Sequence, residues 1–283
     1  MIDSRTTLTG LFGFPTKHSL SPLIHNYVFE KKKINCVYLC FEIKPKDLEK
    51  AVKALKVYNF IGVNVTIPFK QKIMRYLDRI DKKAQLIGAV NTIKNENGKL
   101  IGFNTDGSGF VKAIKKICKF NLKGKRIILL GCGGAGFSIG VSLCFEKIQS
   151  LELYDIQPQR VKKLASHLKK NFKDIQIQPV FKEKELMLKN ADLLINATPC
   201  GMKDKKLPIN IKGLNKNCLV YDLVYNPPQT PLLKECRKLG IRGFNGLSML
   251  VFQATESENI WFKNIGDTSK YMFKILKDAG YTL

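Results

Sequence analysis

The 283-residue sequence predicts an α/β protein of two mainly parallel units, and three observations predict it. Strand-like and helix-like segments alternate twice along the chain, with crossovers of helical length. A glycine-rich turn, Gly131-Cys-Gly-Gly-Ala-Gly136, lies between an apolar run and a helical stretch. The length itself, at about 150 residues per domain, gives roughly two domains.

In the first alternation, residues 8–14, 36–43 and 60–66 read as strands, with amphipathic helices at 21–32 and 46–57 between them. Segments 89–94 and 99–104 read as a hairpin, joined by Asn95-Glu-Asn-Gly98, a turn chemistry that suits closely paired antiparallel strands. A helix is expected over 106–118, with Asp106 at its start and Phe110, Val111, Ile114 and Ile117 on its apolar side. The polar stretch 119–126 has the composition of a domain boundary.

The second alternation runs strand 126–130, helix 134–147, strand 151–155 and helix 158–171. Further strands are expected at 175–180, 192–197, 219–223 and 242–244, followed by helices at 247–263 and 268–279. Neither an internal repeat nor a low-complexity segment interrupts the pattern.

Composition narrows the function. An apolar fraction of 45% is enough for a core in each unit. Eight cysteines without a CxxC pair, mostly inside apolar runs, read as buried free thiols of a reducing cytoplasm. With three histidines and no HExxH, no metal site is expected. The N-terminal residues lack the apolar region of a secretory signal. The apolar stretch 127–145 contains five glycines, unlike a membrane span. A net charge of +25 raises nucleic-acid binding. The lysines are spread over the polar faces of helices such as 161–171, however, so a solvated surface that attracts anionic small molecules is the preferred reading.

The glycine turn carries the first chemistry. Its strand–GxGxxG–helix context is that of a Rossmann-like dinucleotide site. Gly131 allows the tight turn, Gly133 lets backbone approach a pyrophosphate, and Gly136 lets strand and helix pack closely. The first amides of the helix, at Gly134 and Ala135, complete the cradle with the positive end of the helix dipole. Asp155 ends the next strand, 19 residues beyond Gly136, where an acid meets the adenosine ribose hydroxyls. A carboxylate there disfavours a 2′-phosphate, and Ile156-Gln157-Pro158-Gln159 supplies no cation, so NAD is preferred, with NADP possible through Arg160. Capping the helix that begins at Pro158 is an alternative role for Asp155.

Four polar clusters fall at strand ends or turns of the first unit: Ser19-Leu-Ser21-Pro, Asn64-Val-Thr66 with Lys70, Asn91-Thr92, and Asn104-Thr105-Asp106. Small neutral donors with one lysine and one aspartate suit an anionic, polyhydroxylated ligand. Singly, each has a structural alternative, since Ser21 before a proline can cap a helix and Asn-Thr pairs can close turns.

Together with the later motifs, these segments resemble the shikimate dehydrogenase family. The matching stretches are His18-Ser-Leu-Ser-Pro-x-x-His-Asn26, Asn64-Val-Thr-x-Pro-x-Lys70, Gly88-Ala-x-Asn-Thr92 and Gly102-x-Asn-Thr-Asp106. Gly131-x-Gly-Gly-Ala135, Asn196-Ala-Thr-Pro-x-Gly-Met202, Asp222-x-Val-Tyr-Asn-Pro227 and Asn245-Gly-Leu-x-Met-Leu-x-x-Gln253 continue them. The resemblance implies a substrate domain at 1–106, with 247–283 returning to it, and a cofactor domain at 107–246. It also implies reversible, NAD(P)-dependent reduction of 3-dehydroshikimate to shikimate. In that scheme Lys70 handles the proton with Asp106 as its partner. Ser19 and Ser21 would hold the substrate carboxylate, and Thr66, Asn91, Asp106 and Gln253 the ring hydroxyls, with Asn64 and Tyr225 nearby. Thr198, Leu223 and Gly246 would border the cofactor. Many family members carry Asn-Arg-Thr where this chain has Asp155-Ile-Gln157, which resembles the NAD-preferring branch that includes quinate/shikimate dehydrogenases. A quinate substrate is the nearest alternative, and a non-catalytic metabolite sensor a more distant one that has no use for Lys70 and Asp106. No nucleic-acid or membrane partner is expected, and the protein would be a monomer or homodimer.

Overall fold

Two six-stranded sheets organise the chain in a computed structural model that describes residues 2–282. Met1 and Leu283, the outer limits of the first predicted domain, lie outside the described residues. The first sheet comprises β1 (Thr7–Gly13), β2 (Cys36–Glu42), β3 (Gly62–Val65), β4 (Arg79–Ile80), β5 (Thr92–Glu96) and β6 (Lys99–Phe103). Helices α1 (Ser21–Lys31), α2 (Leu48–Val57) and α3 (Lys82–Ile87) connect them. The spatial order is β2-β1-β3-β5-β6-β4. Strands β2, β1 and β3 are parallel, and β5 is antiparallel to both β3 and β6. The expected hairpin is present. Asn97 and Gly98 both take positive φ, 52° and 82°, the pair a type I′ turn requires, and Gly98 donates its N–H to Asn95 Oδ1 at 2.9 Å.

The second alternation continues with α4 (Asp106–Lys116), β7 (Arg126–Leu130), α5 (Gly134–Phe145), β8 (Ser150–Tyr154), α6 (Pro158–Asn171) and β9 (Gln176–Val180). It ends with β10 (Leu193–Asn196), β11 (Leu219–Asp222), α7 (Pro231–Lys238), β12 (Arg242–Phe244), α8 (Leu247–Trp261) and α9 (Ser269–Asp278). All strand pairs of this sheet are parallel, in the order β12-β11-β10-β7-β8-β9. The order reverses between β7 and β10. That crevice, at the carboxyl ends of the strands, is where doubly wound sheets bind ligands.

The residues divide into two compact units. One runs to Thr105 and resumes over Val251–Tyr281; the other spans Asp106–Leu250. The polar stretch 119–126 is therefore not a boundary, contrary to its composition, but links α4 to β7 inside the second unit. Close packing of α4 on α5 decides this. A Cβ at Gly107 would stand 2.0 Å from the Ser142 hydroxyl and 2.7 Å from the Ser138 carbonyl.

Each unit has its own core. In the first, Phe12, Val52, Leu55, Val63, Val65, Phe69 and Ile93 pack together. In the second, Ile128, Leu130, Leu194, Val220 and Leu232 do so. Along α6, Val161, Leu164, Ala165 and Leu168 are buried while Lys162, Lys163, Lys169 and Lys170 face solvent, so much of the positive charge there is a hydrated helix face. All eight cysteines are free thiols. Five are buried, and Cys36, Cys40 and Cys200 are partly exposed. Among the described residues, no helix is long and apolar enough to cross a membrane, and no cluster of His, Cys, Asp or Glu could hold a metal ion.

Candidate active site

In the second unit, the glycine turn leaves β7 and enters α5. Gly131 has φ +91°, and a Cβ there would lie 2.9 Å from the Ala197 carbonyl. Only glycine fits both demands. Gly136 is held more tightly still, since its Cβ would fall 1.9 Å from the Gly131 oxygen. Gly133 and Gly134 differ. A Cβ at either meets no protein atom within 4 Å. Gly133, Gly134 and Ala135 thus present an open strip of backbone at a helix N-terminus, shaped for a pyrophosphate that must touch main chain.

Asp155 follows β8 beside this turn and is buried. Its Oδ2 accepts the Cys132 N–H at 2.8 Å and its Oδ1 the Gln157 N–H at 2.8 Å. Gln157, not Asp155, is the N-cap residue of α6, so the capping alternative is not what the side chain does. A carboxylate has about four acceptor positions. Two backbone amides leave capacity for ribose hydroxyls. Arg160 Nη1 stands 4.0 Å from Oδ2. Burial, the Asp155 charge adding to it, pushes the Cys132 thiol up to about 12, so this thiol stays neutral.

Past the end of β10, Thr198 is fixed by Asn196, whose Oδ1 accepts both its N–H (3.0 Å) and its hydroxyl (2.6 Å). Asn196 Nδ2 donates to Asp222 Oδ1 at 2.9 Å, and Thr230 donates its hydroxyl to Asp222 Oδ2 at 2.6 Å. Burial raises the Asp222 carboxyl to about 6 against these three donors, the third being the Val224 N–H. Leu223 follows, and its carbonyl lies against Gly246, where a Cβ would approach to 2.1 Å. Asn196, Asp222 and Thr230 therefore shape the loops at the strand ends, a role absent from the sequence reading. Tyr225 is half-buried in the loop after β11. Asp106 is buried in the first turn of α4.

In the first unit, the structure assembles much of the predicted polar set. Asn64 Nδ2 donates to Thr92 Oγ1 at 3.1 Å and to Ser257 Oγ at 2.9 Å. Asn91 Nδ2 donates to Thr105 Oγ1 at 2.9 Å and to Gln253 Oε1 at 3.4 Å, while Asn91 Oδ1 accepts the Thr105 N–H at 2.8 Å. Tyr38 donates its hydroxyl to Asn64 Oδ1 at 2.9 Å. Neither Tyr38 nor Ser257 is among the residues expected at the site, and for Tyr38 the sequence carries no signal. For Ser257 a signal exists, because it follows Gln253 by one helical turn on α8.

Ser19 Oγ accepts the Ser21 N–H at 3.2 Å. Helix α1 begins at Ser21 with Leu20 as N-cap and no side-chain cap, so Ser21 is not spent on capping, while Ser19 satisfies the first helical N–H. Thr66 and Lys70 lie in the turn after β3, half-buried. The Thr66 carbonyl accepts the Phe69 N–H at 2.9 Å and the Lys70 carbonyl the Val90 N–H at 2.8 Å.

An all-parallel sheet of this order, with a glycine cradle at its switch point, defines a dinucleotide-binding protein of the Rossmann class. Residues 11–93 match the family described as shikimate dehydrogenase substrate binding domain. The shikimate dehydrogenase (NADP(+)) of Caldanaerobacter subterraneus subsp. tengcongensis is 43% identical over 266 residues, covering 92% of this chain and 93% of the relative. Among solved structures, the shikimate 5-dehydrogenase of Listeria monocytogenes, in complex with shikimate and NAD, superposes with a TM-score of 0.91 at 30% identity. That match covers 97% of this chain and 98% of the other. The quinate dehydrogenase of Corynebacterium glutamicum, in complex with NAD, gives 0.88 at 28% identity, covering 96% and 99%. The chain belongs to the shikimate dehydrogenase family.

Proposed function

We propose that the protein reversibly reduces 3-dehydroshikimate to shikimate with a nicotinamide dinucleotide, acting in the cytoplasm as a monomer or homodimer. The observation that carries this reading is the array of buried Asn64, Asn91, Thr92, Thr105 and Ser257 with half-buried Gln253, neutral donors and acceptors held on one another within the first unit. Such an array matches a ring bearing several hydroxyls and offers no fixed charge for an ionic ligand to displace. When bound, the dinucleotide supplies the hydride in one direction and accepts it in the other. Gly131, Gly133, Gly134, Ala135 and Gly136 hold its pyrophosphate, while Thr198, Leu223 and Gly246 border it. Lys70, with Asp106 as its partner, gives a proton to the substrate oxygen or takes it back. Thr66, Asn91, Asp106 and Gln253 bind hydroxyls, with Asn64 and Tyr225 beside them. Following NAD(P)H absorbance with shikimate and with quinate, using each cofactor, tests the reading. Turnover of quinate in preference to shikimate would reassign the substrate, and no turnover of either would remove the activity.

Ser19 and Ser21 bind the carboxylate through their hydroxyls. A hydrogen bond to a charged group is worth about 1.5–3 kcal/mol, so Ser19→Ala or Ser21→Ala is expected to raise KM for shikimate roughly ten- to a hundred-fold. An analogue with a neutral group replacing the carboxylate should be almost indifferent to either change. Equal losses for acid and neutral analogue would make the serines structural.

NAD is preferred over NADP. The Asp155 carboxylate is buried beside the glycine turn, and Ile156 next to it is exposed and uncharged. Two like charges about 4 Å apart at an effective dielectric near 20 repel by roughly 4 kcal/mol. A third of that is about a ten-fold bias. Asp155→Asn with Ile156→Arg is therefore expected to move the ratio of kcat/KM values at least about ten-fold toward NADP. Arg160, at 4.0 Å from Asp155, favours the opposite reading. A wild-type preference for NADP that Arg160→Ala abolishes would assign the phosphate to that guanidinium.

A further inference from the structure

The sequence motif around Ser21 also contains His25 and Asn26, to which the function above gives no task. His25 lies on α1 and is completely buried, as is Glu258 on α8; Nδ1 and Oε1 are 2.8 Å apart. The second Glu258 oxygen accepts the Thr268 hydroxyl at 2.6 Å, so both oxygens are held. The imidazole stacks on Tyr38, with ring centroids 4.3 Å apart and planes inclined by 13°. Trp261 packs at 5.6 Å from the same imidazole, tilted by 49°, and donates Nε1–H to the Ile93 carbonyl at 2.9 Å. Asn26 clamps the Tyr38 backbone at both ends. Its Nδ2 donates to the Tyr38 carbonyl at 2.9 Å, and its Oδ1 accepts the Tyr38 N–H at 2.8 Å. Two consecutive residues of α1 thus fix one tyrosine, main chain and ring together.

What that tyrosine holds is the substrate array. Its hydroxyl donates to Asn64 Oδ1 at 2.9 Å and has the Ser21 side chain beside it. The phenol gives its one proton to Asn64, so towards Ser21 it can only accept, and it holds the Ser21 hydroxyl in place until a ligand takes that proton. Stability alone does not account for the arrangement. His25 Nε2 is buried without a hydrogen-bond partner among the described residues. A buried polar pair with an unsatisfied atom is commonly no better for stability than an apolar pair of the same volume.

We propose that His25, oriented by Glu258, is a positioning residue for substrate binding, holding Tyr38 so that its hydroxyl sets the Ser21 and Asn64 side chains. The proposal rests on the reading of Ser21 as a carboxylate ligand. Tyr38→Phe keeps the core filled and removes only the hydroxyl. It is expected to raise KM for shikimate about three- to ten-fold, the range of one neutral hydrogen bond, while KM for the dinucleotide stays within about two-fold. His25→Phe should act in the same direction, and the double variant should be no worse than Tyr38→Phe alone, because both remove one chain of contacts. Glu258→Leu should share the loss. Glu258→Gln, which keeps an acceptor for the imidazole N–H, should recover most of it.

If His25→Phe lowers Tm but leaves KM for shikimate unchanged, or if its effect and that of Tyr38→Phe multiply, the positioning role is overturned. Ser21→Ala separates the two readings. A raised KM in Ser21→Ala with an unchanged one in Tyr38→Phe removes the positioning role alone. An unchanged KM in Ser21→Ala removes the carboxylate reading and this proposal with it.

Discussion

Replacing Lys70 by alanine is expected to lower kcat by about 10²–10⁴, the span for loss of a positioned general acid–base, and to change KM for shikimate much less. The lysine sits in the turn after β3. Its own carbonyl is tied to the Val90 N–H, so the backbone that carries the side chain is fixed to the segment leading into Asn91. In the reductive direction a ketone oxygen must gain a proton as hydride reaches its carbon, and an ammonium donates one directly. Lys70→Arg separates proton transfer from charge. Guanidinium keeps the positive charge but does not release a proton in the working pH range. Arginine should therefore fail almost as badly as alanine, and restored turnover with arginine would reduce Lys70 to an electrostatic role. Near-normal kcat in Lys70→Ala would remove it from the mechanism.

The second large effect is expected at the glycine turn. In Gly136→Ala the new methyl would stand 1.9 Å from the Gly131 oxygen, against 3.4 Å for the onset of ordinary contact, so the turn must open by more than an ångström. Gly131 cannot yield easily, being itself pressed against Ala197. Overpacking of this kind costs about 1–3 kcal/mol of stability. A displacement of about 1 Å at a reacting centre costs about a hundred-fold in rate. Gly136→Ala should thus lose about two orders of magnitude in kcat/KM for the dinucleotide and melt at a lower temperature. Gly133→Ala is the complementary test. Its Cβ meets no protein atom, so Tm should hold while the dinucleotide Kd, measured by titration calorimetry, rises. A Gly133→Ala chain that binds as tightly as wild type would mean the turn is not a phosphate cradle.

Elements announced by local chemistry were the legible ones. The boundaries of α6 and β12 coincide with expectation, as does the hairpin turn at Asn97-Gly98. Three elements escaped the sequence reading, and two had readable signals. Helix α3 has Asp81 as N-cap, accepting the Lys83 and Ala84 N–H groups, and Gly88 at φ +70° closing it. Helix α7 has Thr230 capping Leu233 with Pro231 at its first position. Both are short, so the apolar period that identifies longer helices was too brief to see. Strand β4 has only two residues, and pairing with β6 alone defines it.

The candidate site divides the same way. The glycine turn and Asp155 are local in sequence and could be read as a motif. The array that surrounds Asn64 draws on Ser257, 193 residues away, and Tyr38, 26 residues away, contacts that no local pattern encodes. The domain boundary misled for a related reason. Polar composition marks exposure, and 119–126 is a surface loop within one unit.

The first unit is discontinuous, with Val251–Tyr281 separated from the residues before Asp106 by the whole of the second unit. On a ribosome, the strands β1–β6 emerge long before α8 and α9, which bring Gln253, Ser257, Glu258 and Trp261. The second unit is nearly continuous and can close as soon as it is synthesised, whereas the first must wait for partners 193 and 233 residues downstream. The order of assembly is therefore the reverse of the order of translation. The nascent first unit spends that interval with an incomplete polar interior, without Gln253, Ser257 and Glu258.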